Sequence, residues 1–245
     1  MNDIQRHDIL GYAVAACSLD QACTWCIQHA EQNVNPQLVV TLNPEIVVQA
    51  RADSDLEQTI QAASLIVADG VGMLWAARQL AEPLPERVTG VDLMLRLLEV
   101  APHLRVFLLG GKPGVAERAA EVARQRYGST IVGHQHGYFD KQSPDDVDDV
   151  IANIASSKPQ LLFAGLGEGQ EVFLNSYQDD LGVPVLMGVG GSLDVLSGEV
   201  YRAPAWTRQL GIEWAWRVGL DPARWHRIPR LLAFMRLVQQ AKSAL

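Results

Sequence analysis

The chain has 245 residues, 48% hydrophobic and 20% charged, with a mean hydropathy of +0.04 and a formal net charge of −8. That is enough apolar material for one sizeable core and too little charge for intrinsic disorder. No stretch approaches the ~18 uninterrupted apolar residues of a membrane span, and MNDIQRHDIL lacks the basic flank and apolar run of a signal peptide, so a cytoplasmic location is expected.

Short apolar runs alternate with amphipathic segments of helix length, the pattern of a Rossmann-like α/β fold whose mostly parallel sheet is flanked by helices. Ile9–Val14 reads as an edge strand. SLDQACTWCIQHAEQ reads as one helix, and steps of three residues separate Cys23 from His29 around it, so Cys23, Cys26 and His29 are expected to form a structural face rather than a zinc site. The three cysteines, Cys17 included, are an odd count without a secretion signal, which predicts reduced thiols.

The next strand, Gln37–Leu42, delivers Thr41, Asn43 and Glu45 in TLNPE, groups that suit sugar hydroxyls, although Asn-Pro also starts ordinary turns. Asp53-Ser54-Asp55 has the look of an acidic pair for a divalent cation, but it precedes LEQTIQAA, where Ser and Asp are common helix caps, and no metal site is expected. After the strand Leu65–Ala68 comes Asp69, with Gly70 and Gly72 behind it. A carboxylate held at a strand end beside small residues meets the requirement for a general base, and its plain alternative is an N-cap.

Val106–Leu109 is followed by Gly110-Gly111-Lys112-Pro113-Gly114 and the helix VAERAAEVARQRYG. Glycines admit close backbone approach and a helix amino terminus favours phosphate, while packing alone also selects such turns. The loop is neither the dinucleotide fingerprint nor a Walker loop. Further strands are read at Thr130–Gly133, Leu161–Gly165 and Val185–Val189, and Ser143 with Asp145–Asp149 marks a helix start. TLNPE, ADGVG, LGGKPG, GLGEGQE and GVGGSLD thereby fall at carboxyl ends of strands, where open α/β sheets bind ligands.

Beyond Tyr201 the strand rhythm stops, and Pro204, Pro222 and Pro229 interrupt a helical segment. The boundary is set near residue 198, dividing a catalytic domain (1–198) from a basic, Trp-rich helical appendage (199–245). Residues 201–245 carry eight Arg and Lys against Glu213 and Asp221, a net +6 that leaves −14 for the rest, and they hold Trp206, Trp214, Trp216 and Trp225. Such a tail suits an anionic, partly apolar surface such as a phospholipid leaflet; nucleic acid is not expected, because the acidic body would repel it. Leu231, Leu232, Phe234, Met235, Leu237 and Val238 are too many for a narrow stripe and too few for a span, so the last helix is expected on a surface or against a subunit of a homo-oligomer. The plain alternative is a helix that closes the core.

In order, TLNPEIVVQA, ADGVGMLWAAR, ERVTGVDLM, VFLLGGKPGVAERAA, VGHQHGYF, FAGLGEGQE, GVGGSLDVLSGEVYRAPAW and LGIEWAWRVGLDPARWHR resemble the WecG/TagA/CpsF family of bacterial glycosyltransferases, from about Val39 to Arg230. The resemblance implies an inverting, metal-independent and cofactor-free transfer of a sugar, often N-acetylmannosamine or its uronic acid, from UDP to an undecaprenyl-diphosphate-linked sugar at the inner face of the plasma membrane. Asp69 matches the family's proposed base, Thr41 and Asn43 match polar residues of the cleft, and Gln170 matches the glutamine of a Pro-Lys-Gln-Glu motif, with Glu171 beside it. Gly110, Gly111, Gly190 and Gly191 are the expected backbone contacts to substrate, and Arg217, Arg224 and Arg227 the cations for the departing diphosphate. Glu168-Gly169 stands where the family usually has Pro-Lys, an exchange of cation for anion that is expected to disfavour an acidic donor sugar. Two other classes share parts of this pattern: a nicotinamide-dependent oxidoreductase, which has the same fold class, and a non-catalytic scaffold recruited to membranes.

Overall fold

Residues 4–32, 35–201 and 227–243 are described by the computed structural model. The chain opens with strands β1 (Arg6–Ile9) and β2 (Tyr12–Ala15), joined through Leu10 and Gly11 at φ 59° and 84°. Positive φ at both central positions is the twist-matched hairpin turn, and Asp8 Oδ1 accepts the Gly11 N–H at 2.7 Å. The edge strand expected over Ile9–Val14 is corrected accordingly: the run folds back at Leu10-Gly11 into a separate two-stranded antiparallel sheet. A leucine at positive φ is uncommon and gives little warning in sequence.

Helix α1 (Leu19–Gln32) carries the Cys-x-x-Cys segment. His29 Nδ1–H donates to the Trp25 carbonyl at 2.8 Å, and its ring stacks on Trp25 at 3.9 Å. Cys17, Cys23 and Cys26 are buried free thiols; burial pushes Cys17 and Cys23 up to about 11, and Cys26 further up. Among the described residues no three His, Cys, Asp or Glu side chains form a metal-ligand group.

The remaining order is β3 (Gln37–Leu42), α2 (Pro44–Ala50), α3 (Ser54–Ala62), β4 (Leu65–Ala68), α4 (Val71–Gln79), α5 (Gly90–Val100), β5 (Arg105–Gly110), α6 (Val115–Tyr127), β6 (Thr130–Gln135), α7 (Pro144–Ser157), β7 (Leu161–Gly165), α8 (Gln170–Ser176), α9 (Gln178–Leu181), β8 (Val185–Gly188), α10 (Ser192–Leu196) and α11 (Arg227–Ser243). β3 to β8 form one parallel six-stranded sheet in the order β4-β3-β8-β7-β5-β6. Alternation along each strand builds two cores. Leu38, Val40, Leu42, Phe107, Leu109, Leu162 and Leu186 face α2, α3, α4, α7 and α8; Val39, Val67, Val106, Leu108, Phe163 and Met187 face α1, α5, α6 and α10. With both faces covered, the strands read as continuous apolar runs.

Helix ends follow their polar residues. Asp53 Oδ1 accepts the Asp55 and Leu56 amides at 3.1 Å each, and Ser143 caps α7 ahead of Asp145 and Asp146. The acids that suggested a cation site are thus committed at least partly to helix starts, where the dipole favours them.

The last helix is where expectation and structure part. α11 packs on α2 and α4 of its own chain, with Phe234 and Val238 fully buried in the core and Phe234 beside Trp75 at 6.5 Å. The reason is spacing: residues four apart share a helix face, so this pair points inward together while Leu232 and Met235 are exposed. Phe234→Ala is expected to destabilise the whole chain by about 3–5 kcal/mol, the usual result for a buried aromatic. Denaturant unfolding checks this, and a loss under about 1 kcal/mol would mean that α11 is not part of the core.

Candidate active site

Every loop singled out in sequence leaves the carboxyl edge of the same sheet. β5 and β7 are neighbours, yet from β5 the chain crosses to β6 on one side and from β7 to β8 on the other. Loops that diverge from adjacent parallel strands open a ligand crevice between them.

Glycine shapes that crevice. Gly110 lies opposite Gly165 in register, at φ 136°, and a Cβ there would fall 2.4 Å from the Gly165 carbonyl oxygen. A Cβ at Gly165 would fall 2.5 Å from the Gly190 carbonyl oxygen. The turns after β5, β7 and β8 therefore touch backbone to backbone. Gly111 N–H donates to the Gly165 carbonyl at 3.2 Å, and Gly137, past β6, donates to the Gly111 carbonyl at 2.9 Å. Lys141 closes this end, its amine donating to the Leu166 carbonyl at 3.0 Å, with burial lowering its pKa.

The other end of the edge is acidic. Asp69 is half-buried just past β4, and its backbone N–H donates to the Leu42 carbonyl at 2.8 Å. It is not an N-cap: Gly70 caps α4 without a side-chain bond, and Asp69 Oδ2 instead accepts the Gly90 amide at 3.4 Å, at the start of α5. Val88 N–H donates to the Ala68 carbonyl at 2.9 Å, which holds the 88–90 segment along β4. Thr89 and Gly90 are neighbours of Asp69 that the sequence alone does not single out. The available signal was Thr-x-x-Asp before an apolar helix, and Thr89 does cap α5 by accepting the Asp92 amide at 3.1 Å.

Between these ends lie Thr41, Asn43, Gln170 and Glu171. Thr41 is buried on β3, and its hydroxyl donates to the Gly188 carbonyl at 3.4 Å. Asn43 Oδ1 accepts the Glu45 and Ile46 amides at 2.9 and 3.0 Å, the capping role that Asn-Pro allows. Gln170 and Glu171 are buried at the start of α8, where Gln170 Oε1 accepts the Gly190 amide at 3.2 Å and Gln170 Nε2 donates to Glu171 Oε1 at 2.8 Å. Burial raises the Glu171 pKa, opposed by the bond from Gln170. Gly191 precedes α10. Arg217 and Arg224 lie outside the described residues, and Arg227 opens α11.

Glu168 takes an unexpected direction. Its carboxylate accepts from Gln49 Nε2 of α2 at 2.7 Å and pairs with Arg230 of α11 at 3.0 Å. The Glu168 carboxylate is thus partly neutralised by a cation of the last helix.

The glycine crevice and the Asp69 carboxylate share the carboxyl edge of an open α/β sheet, where folds of this class bind ligands. The chain belongs to the glycosyl transferase WecG/TagA/CpsF family, whose model matches residues 7–245. It is therefore a glycosyltransferase by family, which sets the oxidoreductase reading aside. Among its relatives are proteins of Staphylococcus aureus strains NCTC 8325 / PS 47 and COL, each named N-acetylglucosaminyldiphosphoundecaprenol N-acetyl-beta-D-mannosaminyltransferase. Each is 38% identical over 216 residues, covering 87% of this chain and 84% of the relative.

The Glu168–Arg230 contact yields a measurable expectation. Glu168→Lys sets two cations together, and Arg230→Glu in the same chain restores an opposite pair; because Glu168 is 75% exposed, the coupling in a double-mutant cycle is expected at about 0.2–1 kcal/mol. Strictly additive effects in thermal or denaturant unfolding would show that the contact contributes nothing.

Proposed function

We propose that this chain transfers an N-acetylhexosamine, of the N-acetylmannosamine type, from a UDP-sugar to the sugar of an undecaprenyl-diphosphate-linked acceptor in cell-envelope polysaccharide assembly. The observation that carries the reading is Asp69, tied to the Gly90 amide on the same sheet edge as the Gly110–Gly165 crevice. From β4 to β7 the edge spans three strand spacings of ~4.8 Å, about 14 Å. The relatives' printed name supports the donor sugar and the lipid-linked acceptor.

The reaction is a single displacement with inversion. Asp69 takes the proton of an acceptor hydroxyl, the hydroxyl oxygen bonds to the anomeric carbon from the face opposite the leaving group, and the bond to UDP breaks. Charge growing on the diphosphate is met by strand-end N–H groups and by Arg217, Arg224 and Arg227, without a metal ion. A neutral acetamido donor is favoured over a uronate, though Arg230 weakens the repulsion that Glu168 alone would exert.

UDP release with a panel of UDP-sugars and a GlcNAc-diphospholipid acceptor tests the activity, and no turnover with any donor would refute it. Asp69→Asn is expected to keep the fold and UDP affinity while turnover falls by a factor on the order of 10²–10⁴. Near-normal turnover in that variant would remove Asp69 from the mechanism.

A lipid-linked acceptor requires the enzyme to work at a membrane. No helix among the described residues is long and apolar enough to cross one, and the basic, tryptophan-bearing residues 202–226 supply the alternative, peripheral attraction to anionic headgroups at the cytoplasmic face. The division into a 1–198 catalytic unit and a basic appendage belongs to this reading, with one qualification from the fold. Removing everything beyond Tyr201 would also remove Phe234 and Val238 from the core. The expected outcome is therefore stated for the whole chain: Arg202, Arg208, Arg217 and Arg224 replaced together by Ala should lower salt-sensitive co-sedimentation with anionic liposomes at unchanged thermal stability. Undiminished co-sedimentation would refute the docking role.

A further inference from the structure

Gly188 ends β8, at the middle of the sheet, and three buried polar side chains converge on it and on the turn that follows. Thr41 donates to the Gly188 carbonyl, Gln170 Oε1 accepts the Gly190 amide, and Gln170 Nε2 donates to Glu171 Oε1. Thr41, Gln170 and Glu171 are only 6%, 6% and 4% exposed. A Cβ at Gly188 would lie 2.7 Å from Gln170 Nε2 and 3.0 Å from Glu171 Oε1, so the carboxamide and the carboxyl rest directly on the backbone of β8.

Both heteroatoms of the Gln170 carboxamide have protein partners, and Glu171 reaches the turn through it. Burying an amide and a carboxyl costs stability that an apolar pair of similar volume would not. What polar groups supply and apolar ones lack is direction: they set where the Gly190 N–H and carbonyl point. That orientation bears on the whole edge. The Gly190 carbonyl lies against Gly165 in the crevice, and on the other side Thr41 Oγ1 lies 3.2 Å from the Cβ position of Gly90, whose amide holds Asp69.

We infer that Glu171 is a positioning residue for glycosyl transfer, acting through Gln170 to hold the Gly190–Gly191 turn in register with Asp69 without touching either substrate. This rests on the proposed transferase activity. Displacing the turn changes the alignment of leaving group, anomeric carbon and base, and misplacement by about 1 Å costs on the order of 10²-fold in rate. The loss expected from such misalignment falls on kcat rather than on UDP affinity.

Full-length Glu171→Ala, Glu171→Gln and the double variant Gln170→Leu with Glu171→Met are compared with the parent chain for kcat, donor KM, UDP Kd by calorimetry, and thermal midpoint. Glu171→Ala is expected to lower kcat by a factor on the order of 10², with donor KM and UDP Kd within about threefold of the parent. Glu171→Gln, which still offers an oxygen to Gln170 Nε2, is expected to recover most of that loss. The double variant replaces both side chains by apolar ones and leaves the Gly190 N–H without its side-chain acceptor, so it is expected to fold with a lowered thermal midpoint and still lose turnover, and it decides the matter if Glu171→Ala does not fold. A double variant with parent kcat overturns the inference, as does Glu171→Gln as impaired as Glu171→Ala, which would mean a direct role for the carboxylate charge. Equal loss of UDP affinity would make Glu171 a binding group and also overturn it. A parent chain without transfer to any acceptor defeats the proposed function instead, and is told apart by the parent measurement alone.

Discussion

The contact on which the molecule turns is backbone against backbone at the carboxyl edge of the sheet. A side chain at Gly110 would run into the Gly165 carbonyl, and one at Gly165 into the Gly190 carbonyl. Three successive turns can approach this closely only where no Cβ intervenes. The approach brings the turns after β5, β7 and β8 to one place and ties them together, the Gly111 N–H donating to the Gly165 carbonyl and the Gly190 N–H to Gln170 Oε1. Each of these turns leads into a helix that folds back over the strands, which leaves the parallel sheet covered on both faces.

From that crevice a line of buried polar groups runs across the sheet to the acidic end, through Gln170, Thr41 and the Gly90 amide to Asp69. Each member bonds to backbone of another strand's loop, so the loops are fixed relative to one another rather than individually. Reacting groups held by such cross-links keep their distances when any one loop fluctuates, and rate depends more on those distances than does binding.

Much of this architecture is legible in the amino-acid order because strands buried on both faces are written as uninterrupted apolar runs. β3, β4 and β7 end where Leu42, Ala68 and Gly165 end their runs. The hairpin turn was not legible, because Leu10 at positive φ is a choice made by tertiary packing. The partners of the polar residues were not legible either. Asp69 meets an amide 21 positions away, and Thr41 meets a carbonyl 147 positions away; no local pattern encodes such pairings. Glu168 shows the same limit. Its charge is plain in sequence, but its pairing with Arg230 follows from where α11 lies, and that was decided by two apolar residues, Phe234 and Val238.

The position of α11 carries the last step. It packs on α2 and α4, and these two helices begin at the turns that carry Asn43 and Asp69. Gly72, in the first turn of α4, has no room for a side chain: a Cβ would lie 2.5 Å from Pro44 Cγ, with Phe234 Cε1 behind it at 3.8 Å. The backs of both site helices are thus wedged by the same buried phenylalanine. Tyr201, just beyond the glycine turn, and Arg227, at the start of α11, are the two points between which residues 202–226 are joined to the body.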